Sequence, residues 1–88
     1  MRVIKRDGRK ENFSSTKLKS SVHNACLGAG LDVKRAKEIE KKVSTKVIRI
    51  LKGKKEIETI VIVKHIEKEL KKINKDCLHV FKHYYDIN

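Results

Sequence analysis

The chain has 88 residues and a mass of 10.2 kDa, which is enough for one small domain, 1–88, and for no second one. Only 39% of the residues are hydrophobic, which excludes the large core of an enzyme with a deep cleft. The chain has 23 Lys and Arg residues and 11 Asp and Glu residues, so its formal net charge is +12. Such a chain favours anionic partners: nucleic acid, nucleotide phosphates, an acidic protein or a membrane surface.

The sequence contains no predicted membrane span and no predicted targeting segment. No apolar run approaches the roughly 18 residues of a transmembrane helix, and no apolar stretch follows the basic start Met1–Arg6 as it would in a signal peptide. The two cysteines, Cys26 and Cys77, are too few for a disulfide framework. We therefore expect a reduced, cytoplasmic protein that does not enter membranes.

Residues 1–13 predict a β-hairpin. An extended segment, Val3–Arg6, leads into Asp7-Gly8, and a second segment, Arg9–Phe13, follows. Asp-Gly is a strong hairpin signal because both residues tolerate positive φ in a type I′ turn.

Four helices are predicted after the hairpin, each from apolar residues three or four positions apart. The apolar stripes are Leu18, Val22, Ala25 and Ala29; Ala36, Ile39, Val43, Val47, Ile50 and Leu51; Ile62, Ile66, Leu70 and Ile73; and Cys77, Val80, Phe81 and Tyr84. The predicted capping residues are Ser14–Thr16, Asp32, Thr59 and Asp76.

The short segment Lys54–Glu58, between the second and third helices, is extended in character and can add a third strand. The predicted fold class is therefore α+β: a four-helix bundle capped by a small three-stranded antiparallel sheet, made of the N-terminal hairpin and this strand.

The densest basic cluster lies in the predicted hairpin and just after it. Its members are Lys5, Arg6, Arg9, Lys10 and Lys17. Lysine and arginine near a helix start can hold phosphates, together with the backbone N–H groups of the helix. Judged by composition alone, such a cluster is more often a solvated basic hairpin than a phosphate-binding site.

The run Val3-Ile4-Lys5-Arg6-Asp7-Gly8, with Glu11 three residues after the glycine and Lys17-Leu18 beyond it, resembles the opening of the ATP-cone domain. The family also has a Thr or Ser before an aliphatic helix, a pattern that Thr59, Ile62, Ile66 and Leu70 match. This domain is a small nucleotide-binding regulatory module of ribonucleotide reductases and of the transcriptional repressor of their genes. The resemblance spans nearly the whole chain.

The resemblance implies that ATP or dATP binds as an effector between the sheet and the helix ends. An apolar wall for adenine would comprise Val3, Phe13, Leu18 and Ile62. Glu11 and Ser14 would lie near the adenine amino edge, Lys5 and Arg6 would hold phosphates, and Lys17 and Thr59 would lie near the ribose and phosphates. An apolar slot, a carboxylate for the exocyclic amine and cations for the polyphosphate suit this ligand.

The sequence departs from the family pattern at one position and leaves another open. Val63 stands where the family often has His or Asp, four positions after the Thr, so a polar contact near the ribose or phosphate is absent. The final helix of the family can supply a basic residue for phosphate, and Lys82 is the candidate.

We expect neither catalysis nor metal binding. The sequence has no P-loop and no paired acid and base that hydrolysis would need. His23 with Cys26, and Cys77 with His79 and His83, have helical spacings that zinc can use, but both cysteines fall on apolar stripes, where free Cys acts as a small hydrophobe.

The expected function is a non-catalytic, ATP- or dATP-binding regulatory module. Because no reductase domain follows these residues and no zinc ribbon precedes them, we expect it to act in trans, through homo-oligomers or a regulated partner protein. The alternative is a small basic nucleic-acid-binding protein on the same fold, which the +12 charge favours. Adenine selectivity would indicate the first, and a steep salt dependence the second.

Overall fold

The structure, a computed structural model, describes residues 1–86, and the side chains of residues 1–83. Three short strands and four helices follow one another along the chain. They are β1 (Arg2–Ile4), β2 (Lys10–Asn12), α1 (Ser15–Gly28), α2 (Val33–Leu51), β3 (Glu56–Glu58), α3 (Thr59–Ile73) and α4 (Lys75–Asp86). The predicted α+β class and the four-helix bundle with a three-stranded sheet are confirmed.

The hairpin forms where Asp7-Gly8 predicts it, but its turn is not type I′. Gly8 has φ +89°, whereas Asp7 does not adopt positive φ. Gly8 N donates to Lys5 O (2.9 Å) and Lys5 N to Arg9 O (2.7 Å). These bonds define a three-residue loop closed by a glycine in the left-handed region, a longer connection that the same dipeptide also suits.

The sheet is mixed, so the predicted antiparallel sheet is wrong in one pairing. The strand order is β2-β1-β3; β1 pairs antiparallel with β2 and parallel with β3, in the register Val3 to Ile57. A tight hairpin can join only antiparallel strands, whereas β3 returns after two helices. Its direction therefore depends on how α1 and α2 pack, which local pattern does not encode.

Two helices begin at the predicted caps and two do not. Ser14 Oγ accepts from Lys17 N (3.2 Å) at α1, and Asp32 Oδ1 accepts from Arg35 N (2.7 Å) at α2. Thr59 is instead the first residue of α3, after Glu58, and Asn74 Oδ1, not Asp76, accepts from Cys77 N (3.0 Å) at the start of α4.

The helices form a closed bundle in which α1 and α3 each pack against both α2 and α4. The core takes in all four predicted stripes and the inner face of the sheet, where Val3 and Ile57 are buried. Four members of these stripes are only half-buried: Ala29, Ile50, Ile73 and Val80. The predicted burial of Tyr84 lies outside the described side chains. In residues 1–86 no helix combines the length and apolar content that crossing a bilayer requires.

Candidate functional site

Lys5 projects from the end of β1 on the side that faces the helices. Its side chain shares this side with Val3 because residues two apart on a strand point the same way. Glu11, opposite Val3 on β2, also lies there, and its Oε2 is 3.6 Å from Lys5 Nζ. The hairpin thus brings a cation and a half-buried carboxylate together beside the bundle.

The first turn of α1 brings Lys17 to this carboxylate, and Ser14 caps the same turn. Lys17 Nζ lies 4.0 Å from Glu11 Oε2, so one carboxylate faces two lysines. Ser14 Oγ accepts the Lys17 N–H as the helix cap, which leaves its own O–H free to donate. Of the predicted site residues, Lys5 and Lys17 therefore both lie beside Glu11, and Ser14 caps the helix that carries Lys17.

The four residues predicted to wall the adenine belong to one apolar cluster. Val3, Leu18 and Ile62 are 9%, 6% and 9% exposed, and the half-buried Phe13 packs against the same core. They therefore lie in the core to which β1, α1 and α3 contribute, and none of them lines the large cavity described next.

An open cavity of about 790 Å³ lies between the hairpin turn, the start of α3 and α4. Its lining comprises Ile4, Lys5, Arg6, Gly8, Glu58, Thr59, Ile60, Val63, Lys64, Glu67 and Lys82. Of the predicted site residues, Lys5, Arg6 and Thr59 are brought together here. Glu11, Ser14 and Lys17 lie outside this lining, and Lys5 is the residue common to both groups.

The cavity is electropositive. Four cationic side chains line it, Lys5, Arg6, Lys64 and Lys82, against the two carboxylates Glu58 and Glu67. The volume is that of a small-molecule site, and the cations converge from three elements that are far apart in sequence. Such an arrangement can neutralise a polyanionic ligand.

The start of α3 supplies polar backbone at the same cavity. Glu58 precedes the helix without a side-chain cap, so the first N–H groups of α3 receive no side-chain acceptor from it. Thr59 Oγ1 donates to Ile4 O (3.2 Å), which ties α3 to β1, and its oxygen can still accept a hydrogen bond.

Two other basic residues of the hairpin, Arg9 and Lys10, are paired elsewhere. Asp7 accepts from Arg9 N (3.1 Å) and from Arg9 Nε (2.6 Å), and these bonds, the backbone one first, hold the pKa of Asp7 below its usual value. Lys10 Nζ lies 2.9 Å from Glu56 Oε2 on the outer face of the sheet. Lys5 and Arg6 are thus the hairpin cations that reach the cavity.

Sequence reasoning missed Lys64 and Glu67. Both lie on one face of α3 with Ile60, at the i, i+4 and i+7 spacing of a helical face. That spacing could have placed them beside Thr59 once this face was known to be open. Lys82, the basic residue that the final helix was expected to supply, lines the same cavity, and so does Val63, at the position where the family often has a polar residue.

The two cysteines meet in the core, away from these groups. Cys26 on α1 and Cys77 on α4 are both free and fully buried. Burial, and then the neighbouring Cys77, raise the pKa of the Cys26 thiol to about 12. Within residues 1–86 no group of three or more His, Cys, Asp or Glu side chains could hold a metal ion.

Comparison with protein families matches residues 1–86 to the ATP cone domain. Comparison with curated proteins finds no significant match. The family match spans essentially the whole chain, includes the Val3–Gly8 opening and agrees with the bundle and sheet. The chain therefore belongs to the ATP-cone family, whose domains are nucleotide-binding regulatory modules that bind ATP or dATP as effectors.

Proposed function

We propose that this chain binds ATP or dATP as an effector, with the phosphates in the cavity at the hairpin turn. The observation that carries the proposal is the convergence there of Lys5, Arg6, Lys64 and Lys82 on the uncapped start of α3. Four cations and several backbone N–H groups match the charge of a triphosphate.

The adenosine part would lie towards Glu11. The Glu11 carboxylate can accept a hydrogen bond from the adenine amine. The O–H of Ser14 can donate a hydrogen bond to a ring nitrogen of adenine. Val3, Phe13, Leu18 and Ile62 would supply the apolar wall once the base displaces part of the hairpin contact. Lys17 and Thr59 would lie near the ribose and phosphates.

Lys5 would change partners when nucleotide binds. Its ammonium now lies 3.6 Å from Glu11, while its side chain also lines the cavity. A phosphate would draw Lys5 away from the carboxylate, and the adenine amine would replace the lysine there. Val63 offers no hydrogen bond to a ribose hydroxyl, so we expect weak discrimination between ATP and dATP.

The module would regulate in trans, by self-association or by binding a partner protein, and would itself catalyse nothing. The strands of the sheet are only three residues long, and Val3 is the buried hydrophobic residue by which the hairpin strands join the core, so bound nucleotide would order the hairpin further. Two free cysteines fit the reducing cytoplasm.

Calorimetric titration with ATP, dATP, GTP and inorganic triphosphate tests this function. ATP and dATP should bind with similar affinity and more tightly than GTP, whose ring presents a carbonyl to Glu11. Inorganic triphosphate should bind more weakly than ATP. Equal affinity for all four ligands, or no binding of any, would overturn the proposal.

A further inference from the structure

The outward face of α2 is the most basic surface among the described elements. Its exposed residues include seven cations, and Lys52 follows at the helix end. The seven are Lys34, Arg35, Lys37, Lys41, Lys42, Lys46 and Arg49. Glu38 is the one exposed carboxylate on the helix, and its Oε2 lies 3.2 Å from Arg35 Nη1.

These cations form a single stripe because the opposite side of α2 is in the core. Ala36, Ile39, Val43, Val47 and Leu51 are at most 4% exposed. At 100° per residue, Lys34, Lys41 and Arg49 lie within the opposite, outward sector, with Thr45 between them. Successive cations of this row are separated by about 10–12 Å along the axis.

The stripe is electrostatically unsatisfied. Apart from Arg35, none of its cations forms an ion pair with a side chain of residues 1–83, whereas Lys10 and Lys72 elsewhere on the surface pair with Glu56 and Glu69. Like charges along a helix face repel one another, and within this stripe the ion pair with Glu38 offsets the charge of Arg35 alone, so an external polyanion would relieve the remaining repulsion.

We propose that this face of α2 binds the phosphate backbone of double-stranded nucleic acid, without reading its sequence. The helix is about 28 Å long, which corresponds to about eight base pairs at 3.4 Å each. The face carries five lysines and two arginines, and lysine acts as a point charge on phosphate. It has neither Asn nor Gln, which pair with adenine edges, nor an aromatic side chain, which would stack on unpaired bases.

A membrane surface fits less well. A basic helix that lies in a lipid interface inserts an apolar face, and the apolar face of α2 is buried against α1 and α3. No residue of α2 lines the nucleotide cavity, so this surface is separate from the proposed effector site.

The test is binding of a fluorescent 20-base-pair duplex of random sequence by the full chain at several salt concentrations. The variant combines Lys34→Gln, Lys41→Gln and Arg49→Gln. The matched control combines Lys68→Gln, Lys71→Gln and Lys75→Gln, exposed lysines of α3 and α4 that take part in no ion pair of the described residues. Both variants lose the same charge, and ATP titration of each reports on the effector site.

We expect the wild-type chain to bind the duplex with micromolar affinity at low salt and a steep salt dependence. The α2 variant should bind at least about 30-fold more weakly, and its log–log salt slope should flatten by about 2.7, since each lost phosphate contact contributes about 0.9. The control should retain most of the duplex affinity, and both variants should bind ATP as the wild type does.

Three results would overturn the proposal. They are equal loss of duplex affinity in both triple variants, tighter binding to polyglutamate or to anionic vesicles than to the duplex, and absence of duplex binding at low salt. If the wild type does not bind ATP, the proposed effector site is wrong, whereas the proposal for the face of α2 is unaffected.

Discussion

Lys5 is the side chain at which the two halves of the candidate site meet. It is close to Glu11 and lines the cationic cavity, and Arg6 follows it there. Adjacent strand residues normally face opposite ways, yet both reach the cavity because the strand ends at Ile4 and the turn begins.

We predict that Lys5→Ala or Arg6→Ala weakens ATP binding by about 1.5–3 kcal/mol, as expected for the loss of one charged hydrogen bond. Isothermal calorimetry at constant ionic strength measures the ATP affinity of the wild type and of each variant. Lys41→Ala, on the outward face of α2, is the control and should leave ATP affinity unchanged. Unaltered affinity in both hairpin variants would reject the phosphate assignment.

A second prediction at this scale concerns pH. The folded-state pKa of Cys26 is raised from 9.0 to about 12, so the folded chain keeps a proton that the unfolded chain releases. The protonated Cys26 thiol therefore contributes its full stabilisation below about pH 9. Between pH 9 and 12 the free energy of unfolding should fall by up to about 1.4 kcal/mol per pH unit.

Urea denaturation of the wild type and of Cys26→Ala between pH 8 and 10.5 checks the sign. The lysines titrate in both proteins, so their contribution cancels in the difference between the two free energies of unfolding. This difference, which favours the wild type, should shrink above pH 9. An advantage that stays constant over this range would mean that the thiol titrates normally.

At the scale of elements, the helix starts decide how the bundle and the sheet are joined. Thr59 fits the profile of a capping residue, but its hydroxyl donates to Ile4 O across the fold and Glu58 takes the cap position. The Thr59 hydroxyl therefore connects α3 to β1 and does not accept a hydrogen bond from the first N–H groups of α3. The start of α3 thereby stays open to an anion.

The fourth helix offers a matched test of capping. Asn74→Ala removes the acceptor of the Cys77 N–H and should lower the free energy of unfolding by about 1 kcal/mol. Asp76→Ala removes only an exposed carboxylate in the first turn and should cost about 0.3–1 kcal/mol through the helix dipole. Chemical denaturation that finds Asp76→Ala the more destabilising would contradict the observed cap.

At the scale of the whole molecule, the net charge and the small sheet would make any self-association sensitive to polyphosphate. Protomers of charge +12 repel one another, and bound ATP would reduce the repulsion around Lys5, Arg6 and Lys64. A ligand shifts such an equilibrium only by its differential affinity for the two states, so ordering of the hairpin has to contribute.

We therefore predict that ATP or dATP increases the oligomeric mass, as measured by light scattering at matched ionic strength. GTP should act more weakly. If inorganic triphosphate acts as strongly as ATP, the effect is charge screening without an adenine-dependent switch. A mass that no ligand changes would leave regulation to a partner protein.

Local pattern alone determined much of this protein. The apolar spacing predicts all four helices, Asp7-Gly8 predicts the hairpin, and Ser14 and Asp32 predict two caps, because each depends on residues within one or two turns. The opening motif from Val3 to Gly8 likewise indicated the family, which the match over residues 1–86 confirms.

The tertiary structure decided what depends on distant segments. The parallel direction of β3 and the hydrogen bond from Thr59 to Ile4 both follow from how the helices pack. Lys64 and Lys82 are ordinary helix-surface lysines in the sequence. They become neighbours of Arg6 only because the bundle closes α3 and α4 against the hairpin turn, and side-chain proximity across separate elements has no local signature.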